Sequence, residues 1–167
     1  LEAQAALADV QPGGVRVWCS TQGQTGVRDA VAKALGVEAK TVEVIPTYLG
    51  GGFGRKVGDE VAVEAARLSQ AAGVPVHVGW TRTEDMRYGY FRPPTHHRLA
   101  ASLDGAGNIT AIEHRQASGD VAFDFLPNFL ITVMGADFGA YRGAFIRYAV
   151  PNKRTIAHRV KLPIRTG

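Results

Sequence analysis

Two short stretches hold the residues whose types and spacing could do chemistry. "YLGGGFGRK" (Tyr48 to Lys56) sets four glycines around Phe53 and ends on two cations. "STQGQT" (Ser20 to Thr25) carries Gln22 and Gln24. A glycine run costs conformational entropy on folding, so it belongs where the backbone must approach something closely. Its bare amides suit an anion. A ring flanked by glycines can stand in a pocket wall, and Arg55 and Lys56 add charge suited to phosphate. Glutamine amides offer both donors and acceptors to a ligand of mixed polarity. Blander readings stand beside these: a glycine turn that lets a helix pack closely, and loop glutamines that are simply solvated.

Neither stretch is a nucleotide motif. Gly50 and Gly52 give G-x-G without the third glycine of the dinucleotide fingerprint. Val57 stands where a phosphate-binding P-loop needs a magnesium-binding hydroxyl. Other groups carry weaker signals. His96 and His97 are adjacent, so on a strand they face opposite ways and cannot share one metal. In "TRTEDM", Thr81 or Thr83 is expected to cap a short turn with Glu84 and Asp85 near its start. Tyr88, Tyr90 and Phe91 read as core or interface aromatics, and no serine–histidine–aspartate order is persuasive. The single cysteine, Cys19, excludes an internal disulfide and a multi-cysteine metal or iron–sulfur cluster. Within a strand it reads as a buried thiol.

The elements that must position these loops follow from periodicity. Residues 15–20 alternate in period two as a strand. A helix over 26–36 places Val27, Ala30, Val31 and Ala34 on one face and stops at Gly36. A second strand, 41–46, leads into the glycine loop. A helix over 59–73 then sets Val61, Ala65, Leu68 and Ala72 on one stripe with Gly73 as its stop, and a third strand spans 75–80. If the first two strands are parallel, both loops leave corresponding ends and line one crevice. This rhythm fits the start of an open α/β sheet, but the second half changes character. Residues 95–118 read as a hairpin turning at Asp104 to Asn108, followed by an irregular stretch from Gly119 to Arg147 and a strand over 154–162. The expected fold class is α+β: a mixed sheet with two helices in the N-terminal half and antiparallel strands in the C-terminal half, in one domain over residues 1–167.

Composition agrees with a folded domain: 46% hydrophobic and 20% charged residues in 167 is enough to bury a core. No apolar run approaches the roughly 20 residues of a membrane span. A net charge of +4 is spread without a basic block, which disfavours nucleic acid and fits a lining for one small anion. The chain begins at Leu1 rather than Met, as expected of a piece of a longer protein.

Taken together, "VWCSTQ", "VRDAVAKALGV", "VEVIPTYLGGGFGRK" and "EAARLSQAAGVPVHVGWTRTEDM" resemble the molybdenum-cofactor-binding large subunit of the xanthine dehydrogenase and aldehyde oxidase family. The likeness is greatest to the bacterial isoquinoline oxidoreductase β-subunit branch. It runs over nearly the whole chain, with several motifs in the right order and spacing. It implies a molybdopterin enzyme that hydroxylates a carbon next to nitrogen or oxidises an aldehyde, with oxygen from water. It also implies an iron–sulfur small subunit as electron partner, admits a cytochrome c subunit, and makes the remainder of the large subunit a further partner. The pterin form common in this branch is the cytosine dinucleotide.

By that resemblance, Gln22 matches the glutamine that approaches the molybdenum, and Gly51, Gly52, Phe53, Gly54 and Arg55 match the cofactor loop. No residue here is a direct metal ligand. Xanthine-oxidising members carry a substrate-binding glutamate four residues after the loop phenylalanine, where this chain has Val57. That departure argues against a purine. The family's catalytic glutamate has no counterpart here, so no catalytic residue is expected in this chain and the piece alone should be inactive. "AYRGAF" (Ala140 to Phe145) resembles a later active-site segment but falls too early. The alternative is a non-enzymatic α+β module whose glycine loop holds an anion or a partner segment.

Overall fold

The computed structural model describes residues 2–122, 130, 133, 134 and 136–167. The chain divides into two compact units, Leu1–Gly89 and Tyr90–Gly167.

The first unit is a four-stranded sheet carrying two long helices. Its strands are β1 (Ala5–Gln11), β2 (Gly14–Cys19), β3 (Val42–Pro46) and β4 (Val76–Gly79), in the order β3-β2-β1-β4. β2 and β3 are parallel, as the crossover through helix α1 (Gln24–Leu35) requires. β1 pairs antiparallel with both β2 and β4, so the sheet is mixed rather than an open parallel one. Alternation sorts its faces. Ala6, Ala8, Val15, Val17 and Cys19 point into the core, while Asp9 and Arg16 form a cross-strand ion pair at 2.8 Å on the other face.

Val27, Val31 and Ala32 of α1 enter that core beside helix α2 (Glu60–Ala72). Both helices stop at the expected glycines, Gly36 and Gly73, each in the left-handed region at φ 71° and 70°. The stripe expected on α2 is corrected. Val61 and Ala65 are buried, but Leu68 is 48% exposed, and the helix instead presents Ala62, Ala66 and Ser69 to the sheet. Small residues let the helix approach the sheet closely, which a leucine at that contact would prevent. Ser69, fully buried, also joins the layers: its Oγ accepts from the Val10 N–H at 3.0 Å and donates to the Val74 carbonyl at 2.8 Å. That N–H lies beyond the last pairing of β1 with β4, at Ala8↔Val76, so the serine replaces a missing strand. A short helix, α3 (Arg82–Tyr88), follows β4. Thr81 accepts from the Glu84 N–H and Glu84 reaches back to the Thr81 N–H, a capping box that matches the sequence reading of "TRTEDM".

The second unit is a three-stranded sheet, β5 (Thr95–Leu103), β6 (Ile109–Ser118) and β7 (Asn152–Arg159), with β6 central. β5 and β6 form the expected antiparallel hairpin, and the Asp104 carboxylate accepts from the Ala106 and Asn108 N–H groups in its turn. β7 joins β6 in parallel. The irregular stretch expected over 119–147 lies partly outside the described residues. Within it, α4 (Phe138–Tyr141) is capped by Asp137, whose carboxylate also accepts from the N–H groups of Val121 and Ala122.

Ser69→Ala deletes an acceptor and leaves the part-buried Val10 N–H unsatisfied. We expect it to lower the unfolding free energy by about 1–3 kcal/mol in a urea titration.

Candidate functional site

Strands β2 and β3 run in parallel register, with Cys19 opposite Pro46, so both candidate loops emerge at one end of the sheet. The Thr47 N–H donates to the Cys19 carbonyl at 3.0 Å and holds the strands together one residue further. The glycine loop then doubles back. Arg55 N–H donates to the Gly52 carbonyl at 2.8 Å and Val57 N–H to that of Gly54 at 3.2 Å, a single turn of 3₁₀ helix over Arg55–Val57. Phe53 and Gly54 take positive φ in succession, 50° and 87°. For glycine that is free, whereas for phenylalanine it is an uncommon conformation. Phe53 is 72% exposed and Tyr48 is fully exposed.

The loop and the S-T-Q turn meet. Gln22 N–H donates to the Lys56 carbonyl at 2.8 Å, and the Thr21 hydroxyl donates to the same oxygen at 3.3 Å. The Gln22 side chain lies so close to Gly52 that a Cβ added there would sit 2.5 Å from Gln22 Oε1. Among the described residues, the N–H groups of Gly51, Gly52 and Gly54 make no hydrogen bond. A side-chain amide, three neighbouring backbone amides and an exposed ring thus lie together around one bend of the chain. That donor set suits an anionic ligand of mixed polarity. Gln24 sits apart from it, exposed on the first turn of α1.

The two cations are spent differently from their reading as phosphate ligands. Lys56 is 1% exposed, its Nζ donating to a Glu2 carboxylate oxygen and, at 2.6 Å, to Ser20 Oγ. The second Glu2 oxygen accepts from the Gly50 N–H at 2.8 Å. Lys56 holds the Glu2 carboxyl below the usual range, aided by Gly50 and Ser20 and opposed by burial. Arg55 donates to Glu60 at 3.2 Å and its guanidinium lies 5.5 Å from the centre of the Trp80 ring. Glu2, Ser20 and the inward Lys56 carried no signal in the sequence, because nothing local tells a buried lysine from a solvated one. Cys19 is buried as expected, and that burial pushes its thiol up.

In the second unit, His97 Nδ1 and His114 Nε2 lie 2.9 Å apart on neighbouring strands. No cluster of three histidine, cysteine or acidic side chains that could hold a metal occurs among the described residues.

A family model, "Molybdopterin cofactor-binding domain", matches residues 1–160. The chain belongs to that family. Relatives include the isoquinoline 1-oxidoreductase subunit beta of Brevundimonas diminuta, 30% identical over 92% of this chain and 20% of that protein. A membrane-bound aldehyde dehydrogenase of Gluconacetobacter polyoxogenes, named for pyrroloquinoline quinone, is 34% identical over 71% of this chain and 16% of its own length. Among solved structures, quinoline 2-oxidoreductase from Pseudomonas putida 86 superimposes with a TM-score of 0.62 at 27% identity, over 72% of this chain and 16% of that one. The chain thus spans about a fifth or less of the curated relatives it matches.

Three outcomes test this geometry. Gly52→Ala meets only the movable end of Gln22 and the Lys56 side chain, so the melting temperature should stay near wild type while the Gln22 side-chain NH₂ resonances shift. Gly54→Ala should cost about 1–2 kcal/mol, because alanine resists the left-handed backbone. The Glu2 carboxyl sits below its ordinary 4.5 in the folded chain. The stability it adds over Glu2→Gln should therefore be full above that value and vanish as the pH falls through the native one. Urea titrations of both proteins from neutral pH downward read this difference directly.

Proposed function

We propose that the whole protein is a molybdenum hydroxylase large subunit that oxidises an aldehyde or an N-heteroaromatic substrate with oxygen from water. This chain supplies part of its cofactor pocket. Molybdopterin, when bound, supplies the redox chemistry. The carrying observation is the contact of Gln22 with Gly52 beside three amides that have no partner among the described residues. In this reading Gln22, Gly51, Gly52, Phe53, Gly54 and Arg55 form the cofactor-facing surface. Gln22 offers a polar amide near the molybdenum, and the glycine amides meet anionic oxygen atoms. Phe53 shields the site from water. Arg55 anchors the end of the loop through Glu60 and Trp80.

Val57, exposed at the end of the 3₁₀ turn, replaces a purine-binding carboxylate with an apolar group and supports an aldehyde or an apolar heteroaromatic ring. Both units belong to one cofactor-binding domain in this reading, since the family model runs through both. The general base lies elsewhere in the whole subunit, and this chain alone is inert. A cytosine dinucleotide form of the pterin and a partner bearing iron–sulfur clusters, with or without a cytochrome c subunit, complete the proposal.

The test is to purify the full-length protein and assay molybdenum, fluorescent oxidised pterin and pyrroloquinoline quinone. Molybdenum and pterin in equal amounts are expected. Quinone in their place, or neither in active protein, overturns the reading. Phe53→Ala should reduce pterin content several-fold with little change in melting temperature. Unchanged pterin content in that variant would remove Phe53 from the site.

A further inference from the structure

We infer that Lys56 is the positioning residue that couples the S-T-Q turn to the glycine loop, an inference that rests on the cofactor reading above. Lys56 touches Ser20, Thr21 and Gln22 of the turn and, through Glu2, the head of the glycine loop. Its carbonyl accepts from Gln22 N–H and Thr21 Oγ1, so its backbone fixes the residue that presents the amide. Its ammonium donates to Ser20 Oγ and to Glu2, and Glu2 in turn accepts from the Gly50 N–H at the head of the loop. Ser20 also donates to Glu2 at 3.1 Å, which closes the ring of contacts.

An ammonium that is 1% exposed cannot serve an incoming phosphate, and it would be costly without its two oxygen partners. Charge placed there restrains the loop. Glu2 lies four residues before Ala6, the first inward residue of β1, so the tie also fixes the loop to the start of the sheet. Gly51 and Gly52 then lie between two fixed points, Gly50 held by Glu2 and Arg55 held by the Gly52 carbonyl. Their amides keep one orientation without any bond of their own. A loop ordered before the ligand arrives does not charge the ordering to binding.

Lys56→Met keeps the length and the apolar stem but removes the donors, and Lys56→Arg restores a cation. Both are made in the full-length protein and read by hydrogen exchange and by pterin content. In Lys56→Met, exchange should rise in peptides covering 47–54 and 20–24 but not in those from β1 or α2. Pterin content should fall several-fold, and Lys56→Arg should recover part of both. Wild-type exchange and pterin content in folded Lys56→Met overturn the inference. A rise in exchange spread over the whole first unit also overturns it, since Lys56 is then a general stabiliser. Should Lys56→Met fail to fold, Glu2→Gln, at a 39% exposed side chain, must show the same local rise at 47–54. Its absence there overturns the coupling. Wild-type protein without pterin defeats the cofactor reading alone, and the exchange arm still decides whether Lys56 holds the two loops together.

Discussion

The site depends on one constraint, the parallel, in-register pairing of β2 with β3. Parallel neighbours need a crossover, and α1 supplies it. The crossover returns the chain so that the segments after Cys19 and after Pro46 leave the same end of the sheet. A glutamine and a glycine run 30 residues apart in sequence then share one bend. Antiparallel pairing of these strands would have sent the two loops to opposite ends. Everything else in the first unit stiffens this arrangement. β1 widens the sheet beside β2, and α2 presses a face of alanines and one serine against it.

Charge then decides where the loop can move. The sequence "GRK" invites a reading in which both cations await an anion. Burial separates them. Arg55 keeps its fork on Glu60 and over the Trp80 ring, while Lys56 turns beneath the loop to Ser20 and Glu2. The loop donors left without a partner among the described residues are the uncharged amides of Gly51, Gly52 and Gly54. In the proposed site an anion would be held by oriented dipoles rather than by exposed side-chain charges.

How much of this was legible depends on whether each signal was local. β2, β3, α1 and α2 announce themselves by period, and the glycine stops of both helices lie where left-handed caps are needed. The Asp104 turn and the Thr81 box are equally local, because the bonding groups lie within a few residues of each other. β1 was not read as a strand. "AALADVQ" is rich in alanine, a poor strand former, and becomes one only because β2 and β4 flank it. The α2 stripe misassigned Leu68 for a related reason. Hydrophobicity favours leucine in the core, but close packing on the sheet selects small residues there. Residue types alone singled out Gln22 and the glycine loop, the resemblance implied a cofactor for them, and the fold brings Gln22 against Gly52. No pattern could disclose Glu2, since its partners are 48 and 54 residues away.

Phe53 is where local rules conflict most openly. A bulky residue in the left-handed region carries a conformational cost, and this one also leaves most of its ring in water. The first unit recovers little of either cost by burying the side chain. Asparagine or glycine would meet the backbone requirement more easily, so the turn alone does not explain an aromatic ring. Strain of this kind persists where neighbouring structure over-determines it, and such places cluster at ligand sites. Here the over-determination is visible on both sides: Gly50 is held by Glu2 before the ring, and Arg55 by Glu60 and Trp80 after it. A segment pinned at both ends and strained in the middle is the place where we propose that a ligand sits. The backbone of Phe53 and Gly54 thus singles out the same loop that the family resemblance selects.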